Sequence, residues 1–421
     1  MPVLDADGYT EFETAAAPVS DNERRNEEAN PSANPLNRGG ALQYLQQGPQ
    51  LNPAFLRSTA YPDFADLVSQ VRENDPGLSN RVLEPDGYFQ TRRTTLSEIT
   101  DAITELNATG FRQRTTDDLP TVVVGWGKCR VGSTALTNLF GMAGVLAYYN
   151  PIKTAVRHFV LDGPAEPWHV VRRTEHEFMF AKEMSGPYHL ADCMINPLKI
   201  LVEAGYPTNR IKLVMLDRDP YRSLDSWLNK WSHLILPERL VQHYVLSALN
   251  AIRIKAYATE VGIPIVHYMY EASRLPQKAV NRMFRQIGMG RYFHNGVVED
   301  WNEKGSLASL QSKIIFPPLP KPCVIPGLHA SEARYLYKER SVDRVSVEHR
   351  KLIEETGVLA YYQAAALACA DELQLGRDDR KKLFEGTPAA VADTRTTDRR
   401  HAADLLVNRH DAIASIGKRN H

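Results

Sequence analysis

The chain has little cysteine and no arrangement of it. The four cysteines, at 129, 193, 323 and 369, share no short paired spacing, so neither a zinc site nor a disulfide framework is indicated. Net charge is also missing: 50 Lys+Arg balance 50 Asp+Glu over 421 residues. A protein that coats nucleic acid or an anionic membrane needs a cationic surplus to displace counterions, so neither partner is expected. No apolar run approaches the roughly 18 residues of a membrane span. The opening segment MPVLDADGYTEFETAAAPVS lacks the basic and apolar regions of a secretory signal. These absences lead to the expectation of a reduced, cytoplasmic protein that meets any anion with a local cluster of cations.

What is present is ordered along the chain. Residues 1–55 are rich in Asn, Pro, Glu, Ala and Gln, a composition that buries too little apolar surface to offset its ordering entropy, and are expected to form a flexible arm. Phe64, Leu67, Val68 and Val71 share a helical face, as do Leu96, Ile99, Ile103 and Leu106, so 56–118 reads as a helical N-terminal extension. From 119 to 375, β-rich runs (Thr121–Val124, FMFAK at 178–182, IKLVML at 211–216, IPIVHYMY at 263–270) alternate with helical patterns. That alternation predicts an α/β fold, a three-layer P-loop-type domain with a central parallel β-sheet flanked by helices. The Ala-rich run at 356–373 predicts a helix that either closes the domain or forms a homodimer contact. Residues 376–421 read as a polar C-terminal helix or tail.

The chemistry concentrates at two strand ends. Gly127-Lys-Cys-Arg-Val-Gly132-Ser133-Thr134 follows the first strand of the domain and opens a helix, the setting in which backbone N–H groups face an anion. It nearly fits the G-x-x-x-x-G-K-[ST] phosphate loop, but Ser133 occupies the Lys slot and the cation has moved to Arg130. The strand Ile211–Leu216 leads into Asp217-Arg218-Asp219-Pro220-Tyr-Arg222-Ser223-Leu-Asp225-Ser226. Here Arg218 offers a planar fork to phosphate oxygens, Pro220 suits a first helical turn, and Ser226 lies about two turns on.

Arg130-Val-Gly132-Ser133-Thr134 resembles the first nucleotide-binding motif of the sulfotransferases that use 3′-phosphoadenosine 5′-phosphosulfate (PAPS). The separation of Arg218 from Ser226 is similar to the 3′-phosphate motif of the same family, and the resemblance covers about residues 121–306. It implies PAPS as co-substrate, no metal, and transfer of a sulfuryl group to a hydroxyl or amine of a small-molecule or carbohydrate acceptor. Lys128, Gly132, Ser133 and Thr134 would hold the 5′-phosphosulfate end. Arg218 and Ser226 would hold the 3′-phosphate, with Lys304-Gly305, after Glu303, as a late 3′-phosphate loop. Arg130 would stabilise charge on the leaving oxygen, and being permanently protonated it would act by electrostatics alone.

An acceptor hydroxyl also needs a proton acceptor. Glu183, after the FMFAK strand, is the first candidate, followed by His158 and His189; Asn150 stands where Golgi-type members tend to carry a Glu. The plain alternative for each is a side chain with a structural role. Cys129 is either a reactive loop thiol or a small packed residue. Two other functions fit the pattern. Leu213-Val-Met-Leu-Asp217 resembles a Walker B strand and so suggests a P-loop kinase or nucleoside triphosphatase, against which the missing Lys counts. The third reading is a non-catalytic nucleotide-binding module.

Overall fold

The computed structural model describes residues 60–112, 114–301, 313–321, 323 and 334–389; the expected arm at 1–55 and the Lys304-Gly305 pair lie outside the described residues. The chain enters through α1 (Phe64–Arg72), whose Leu67, Val68 and Val71 are buried, as their spacing requires. A short antiparallel pair, β1 (Val82–Leu83) and β2 (Thr94–Thr95), precedes α2 (Leu96–Phe111). The start of α2 is fixed by a capping box. Thr95 Oγ1 accepts the Glu98 N–H at 3.1 Å and Glu98 Oε2 accepts the Thr95 N–H at 2.8 Å, satisfying two donors that a helix start otherwise leaves unpaired.

The six remaining strands form one parallel sheet: β3 (Thr121–Lys128), β4 (Leu146–Tyr149), β5 (Phe178–Ser185), β6 (Ile211–Asp217), β7 (Ile265–Met269) and β8 (Ile314–Ile315). Their spatial order is β7-β6-β3-β5-β4-β8. β3 is buried along its whole length, the condition of a central strand covered on both faces. Between β3 and β7 lie α3 (Ser133–Met142), α4 (Pro151–Val160), α5 (Leu190–Met194), α6 (Pro197–Glu203), α7 (Pro220–Trp231) and α8 (Pro237–Glu260). After β7 come α9 (Pro276–Gln286), α10 (Gly296–Glu299), α11 (Val347–Glu355), α12 (Val358–Glu372) and α13 (Arg377–Phe384).

The pleat divides the core in two. Val122, Val124 and Trp126 of β3 join Met179, Leu213 and residues of α1, α2, α4, α7 and α8 on one face. Val123, Phe180 and Val214 join α3, α9, α12 and α13 on the other. Crossovers moving toward β8 run on the second face and those moving toward β7 on the first, as the right-handed rule for parallel strands demands.

Both ends of the described chain pack into the domain. In the 56–118 extension, Leu67, Ile99, Ile103 and Phe111 belong to the first-face core. Tyr362, Ala365, Ala366 and Cys369 of α12 are buried against the second face of the sheet. The polar stretch after 376 starts with α13, whose Leu383 and Phe384 are buried. The strand β4 was not among the β-rich runs, since its four residues are too few to show a period.

The second-face core turns on Phe180, which stacks on Phe140 with centroids 4.1 Å apart and planes 11° from parallel. Phe180→Ala should therefore lower the unfolding free energy by about 3–5 kcal/mol, read from urea denaturation. A loss below about 1 kcal/mol would show that the site collapses around the missing ring.

Candidate functional site

Right-handed crossovers make the loop after β3 diverge from the loops of both neighbouring strands. The loop after β3 turns to the second face while those after β5 and β6 turn to the first, so a crevice opens at the carboxyl end of β3. The 127–134 loop lies there. Gly127 is needed because a Cβ would sit 2.3 Å from the Leu216 carbonyl oxygen of the neighbouring strand. Gly132 has φ +79° as the N-cap of α3, and a Cβ on it would lie 2.4 Å from the Tyr270 ring. Both close approaches shape the backbone N–H groups into a turn that opens a ten-residue helix.

The second motif meets the first. The register of β3 on β6 carries Lys128 beside Asp217, and the two form a buried ion pair. Asp217 Oδ1 also accepts the Arg218 N–H at 2.7 Å. Arg130, at φ +68°, donates from Nε to Ser226 Oγ at 2.7 Å, and Arg218 Nη1 donates to the Arg130 carbonyl at 3.3 Å. Trp227 Nε1 donates to the Cys129 carbonyl at 2.8 Å, so α7 holds the loop backbone from the side. The α7 start is itself set by Asp219, whose Oδ1 accepts the Tyr221 N–H at 2.9 Å, and by Pro220 in the first turn. Arg218 lies over the Tyr270 ring, 4.6 Å from its centroid.

Two cations here are buried without an ion pair among the described residues, although Asp219 and Glu271 lie within electrostatic reach of Arg218. Lys182 on β5 and Arg218 after β6 are 3% and 7% exposed, and neither forms an ion pair with a described carboxylate. Lys182 Nζ lies 3.4 Å from the centroid of Tyr149, whose hydroxyl is 3.0 Å from Thr134 Oγ1 of the loop. Burial first, then the charges of Lys153, Arg130 and Arg157, pushes the Lys182 ammonium well below the usual lysine range, while Cys129 opposes the shift. The Arg218 Nε atom is buried with no hydrogen-bond partner. Nearby cations that do have carboxylates are Lys128 on Asp217 and Arg157 on Asp192. Lys153 hydrogen-bonds the Gly186 carbonyl and lies 3.8 Å from Asp192. Despite its burial, Asp192 is held well below the usual carboxylate range by Arg157, His189 and Lys153. Such a site favours an anion on both flanks of the loop.

The structure places the candidate proton acceptors elsewhere than expected. Glu183 faces the first side, where its two oxygens accept the Ile152 N–H at 2.6 Å and the Lys153 N–H at 3.1 Å. It caps α4, and burial pushes its carboxyl up to about 8. His158 lies in the last turn of α4, about 10 Å along the axis from the end that faces the loop, with Nε2 2.9 Å from the Pro318 carbonyl. It does not join the site. His189 is buried as the N-cap of α5, where Nδ1 accepts the Asp192 N–H at 3.1 Å, and burial holds it neutral to lower pH than usual. Asn150, at φ +55°, extends the β4–β5 pairing through its Oδ1, which accepts the Met184 N–H at 3.0 Å. Of the candidate nucleotide ligands, Gly132, Ser133, Thr134, Arg218 and Ser226 converge with Arg130, and Lys128 is occupied by Asp217.

Lys182, Tyr149 and Tyr270 were not expected as nucleotide-site residues, although a lysine ending the otherwise apolar run FMFA and Tyr270-Glu271 closing the late strand both mark strand ends at this edge of the sheet. The chain matches no family model, and no curated protein or solved structure is significantly similar to it.

Two expectations follow from the geometry. Gly132→Ala brings a methyl group against Tyr270 at positive φ and should cost about 1–2 kcal/mol of stability, seen as a lower urea midpoint. Glu183 keeps its proton in the folded state up to about pH 8, against 4.5 for an ordinary carboxyl. The folded chain therefore binds more protons than the unfolded one in that window, and stability falls as pH rises through it. Glu183→Gln should remove that decline in pH-dependent melting; an unchanged slope would assign it to another group.

Proposed function

We propose that the chain is a cytoplasmic sulfotransferase that takes PAPS as co-substrate and needs no metal. The observation that carries this reading is the pair of buried cations that form no ion pair with a described carboxylate, Lys182 and Arg218, set on opposite flanks of a glycine-shaped loop. A ligand with an anionic group at each end fits that spacing of charge better than one with a single phosphate. The backbone from Gly132 to Thr134 and the start of α3 would hold the 5′ end. Arg218 and Ser226 would hold the 3′-phosphate, and Tyr270, against both Gly132 and Arg218, offers an aromatic face to the base.

PAPS, when bound, supplies the activated sulfuryl group. Arg130 is placed to stabilise charge on the bridging oxygen as it leaves, and Lys182 to meet the sulfuryl oxygens from the β5 side. The acceptor enters over β4 and β5, where Tyr149 and Phe316 lie with ring centroids 4.9 Å apart. The kinase reading is weakened by Asp217, whose carboxylate already carries the Lys128 ammonium and the Arg218 amide.

Titration calorimetry with adenosine 3′,5′-bisphosphate tests the proposal. Arg218→Ala should weaken binding by about 1.5–3 kcal/mol, roughly 10- to 100-fold, by removing a charge-assisted contact. Arg130→Ala should keep the product affinity within a few-fold and lose transfer. Absence of binding at millimolar ligand, or binding abolished by a chelator, would refute the reading. Binding without transfer to any acceptor would favour a non-catalytic module.

A further inference from the structure

Cys129 is part of the loop, yet sulfuryl transfer gives its side chain nothing to do. It is one of four free cysteines, and the environments separate it from the others. Cys193 and Cys369 are buried, and burial pushes both thiols up, Cys369 to about 12; Cys323 is pushed up to about 11. Cys129 is partly exposed, as Cys323 is, but it alone of the two lies in the loop after β3. Its Sγ donates to the Gly186 carbonyl at 3.3 Å and lies 4.0 Å from Lys153 Nζ. The same residue is held in place by its backbone, with its N–H on the Ser185 carbonyl at 3.0 Å and its carbonyl accepting from Trp227.

A second, independent observation points into this corner. The Lys182 amine is buried beneath the loop, makes no hydrogen bond or ion pair with a described residue, and rests on Tyr149 beside Thr134. A cation left without a counter-charge at that depth favours an anion brought from outside. Lys153 adds positive charge beside the sulfur, and Arg130 is the next residue of the same loop, with its guanidinium on Ser226. The facing carboxylates are Asp192, already taken by Arg157, and Glu183, turned into the α4 cap.

We propose that Cys129 is a covalent modification site for anionic thiol-reactive molecules, namely low-molecular-weight disulfides that carry carboxylates. The Cys129 thiolate attacks one sulfur of the disulfide, a new S–S bond forms, and the old one breaks. The departing thiolate takes up the proton that Cys129 released, so Cys129 is oxidised and half of the small disulfide is reduced; a second thiol reverses the exchange. The adduct then stands between Gly186 and Arg130, in the space an anion on the loop would occupy. The loop can hold one or the other. This rests on the cationic loop alone, not on the proposed transfer reaction.

Alkylation of the native full-length chain, followed by peptide mapping, tests it. Cys129 should react about tenfold or more faster than the other three cysteines. Its rate ratio of iodoacetate to iodoacetamide should exceed that of free glutathione in the same buffer by about fivefold, and added salt should collapse the excess. Lys182→Met should lower the ratio, and Lys153→Met provides a second variant if the first fails to fold. Oxidised glutathione should add one glutathionyl group at Cys129, removable by dithiothreitol. Inorganic sulfate should slow all of these reactions. Faster labelling of Cys323, or a ratio at Cys129 equal to that of glutathione and insensitive to salt, would overturn the proposal. Protection by sulfate but not by adenosine 3′,5′-bisphosphate would uphold it while removing the PAPS reading.

Discussion

The ion pair between Lys128 and Asp217 is the constraint on which the site depends. It closes the carboxyl ends of the two strands that carry the motifs, and both partners are buried. Removing one partner of such a pair strands the other, a cost of about 3–5 kcal/mol, so the register of β3 on β6 is strongly fixed at that end. Everything functional is placed from there. Asp217 orients the Arg218 backbone, Arg218 reaches the Arg130 carbonyl, and Arg130 reaches Ser226 in the middle of α7. Gly127 allows the two strands to approach closely enough for the pair to form.

With that end fixed, local charge balance decides what the crevice accepts. The chain as a whole is neutral, and the buried cations around the loop divide into those with carboxylates and those without. Lys128 and Arg157 are structural because each has a carboxylate against it. Lys182 and Arg218 are buried without an ion pair to a described carboxylate: Lys182 rests on the Tyr149 ring, and Arg218 has the Tyr270 ring, the Arg130 carbonyl and the more distant charges of Asp219 and Glu271. A ring offsets only part of the desolvation of a cation. The remainder is an attraction for anions, directed from β5 and β6 onto the loop between them.

The fold class and the loop were legible because they rest on local signals. Thr121–Val124 followed by Gly-rich sequence and a helical pattern is a strand, turn and helix by short-range sterics alone, and alternation with later runs implies parallel pairing. Arg218, Pro220 and Ser226 are spaced by the helix itself. The proton acceptor was not legible in the same way. Glu183 and Lys182 are neighbours in sequence, but the pleat sends them to opposite faces, one onto the α4 start and the other beneath the loop. His158 has the right chemistry and the wrong end of its helix.

The sequence by itself determined the alternation of strands and helices, the turn at Gly132 and the two cationic motifs, since these follow from backbone sterics and from residues within two helical turns of each other. Only the tertiary structure decided which cations are neutralised. Lys128 finds its carboxylate 89 positions away, Arg157 finds Asp192 at 35, and Lys182 finds none among the described residues. Those distances along the chain are set by strand order, which no local pattern encodes, and burial gives each pairing its weight because charge is costly to leave uncompensated away from water.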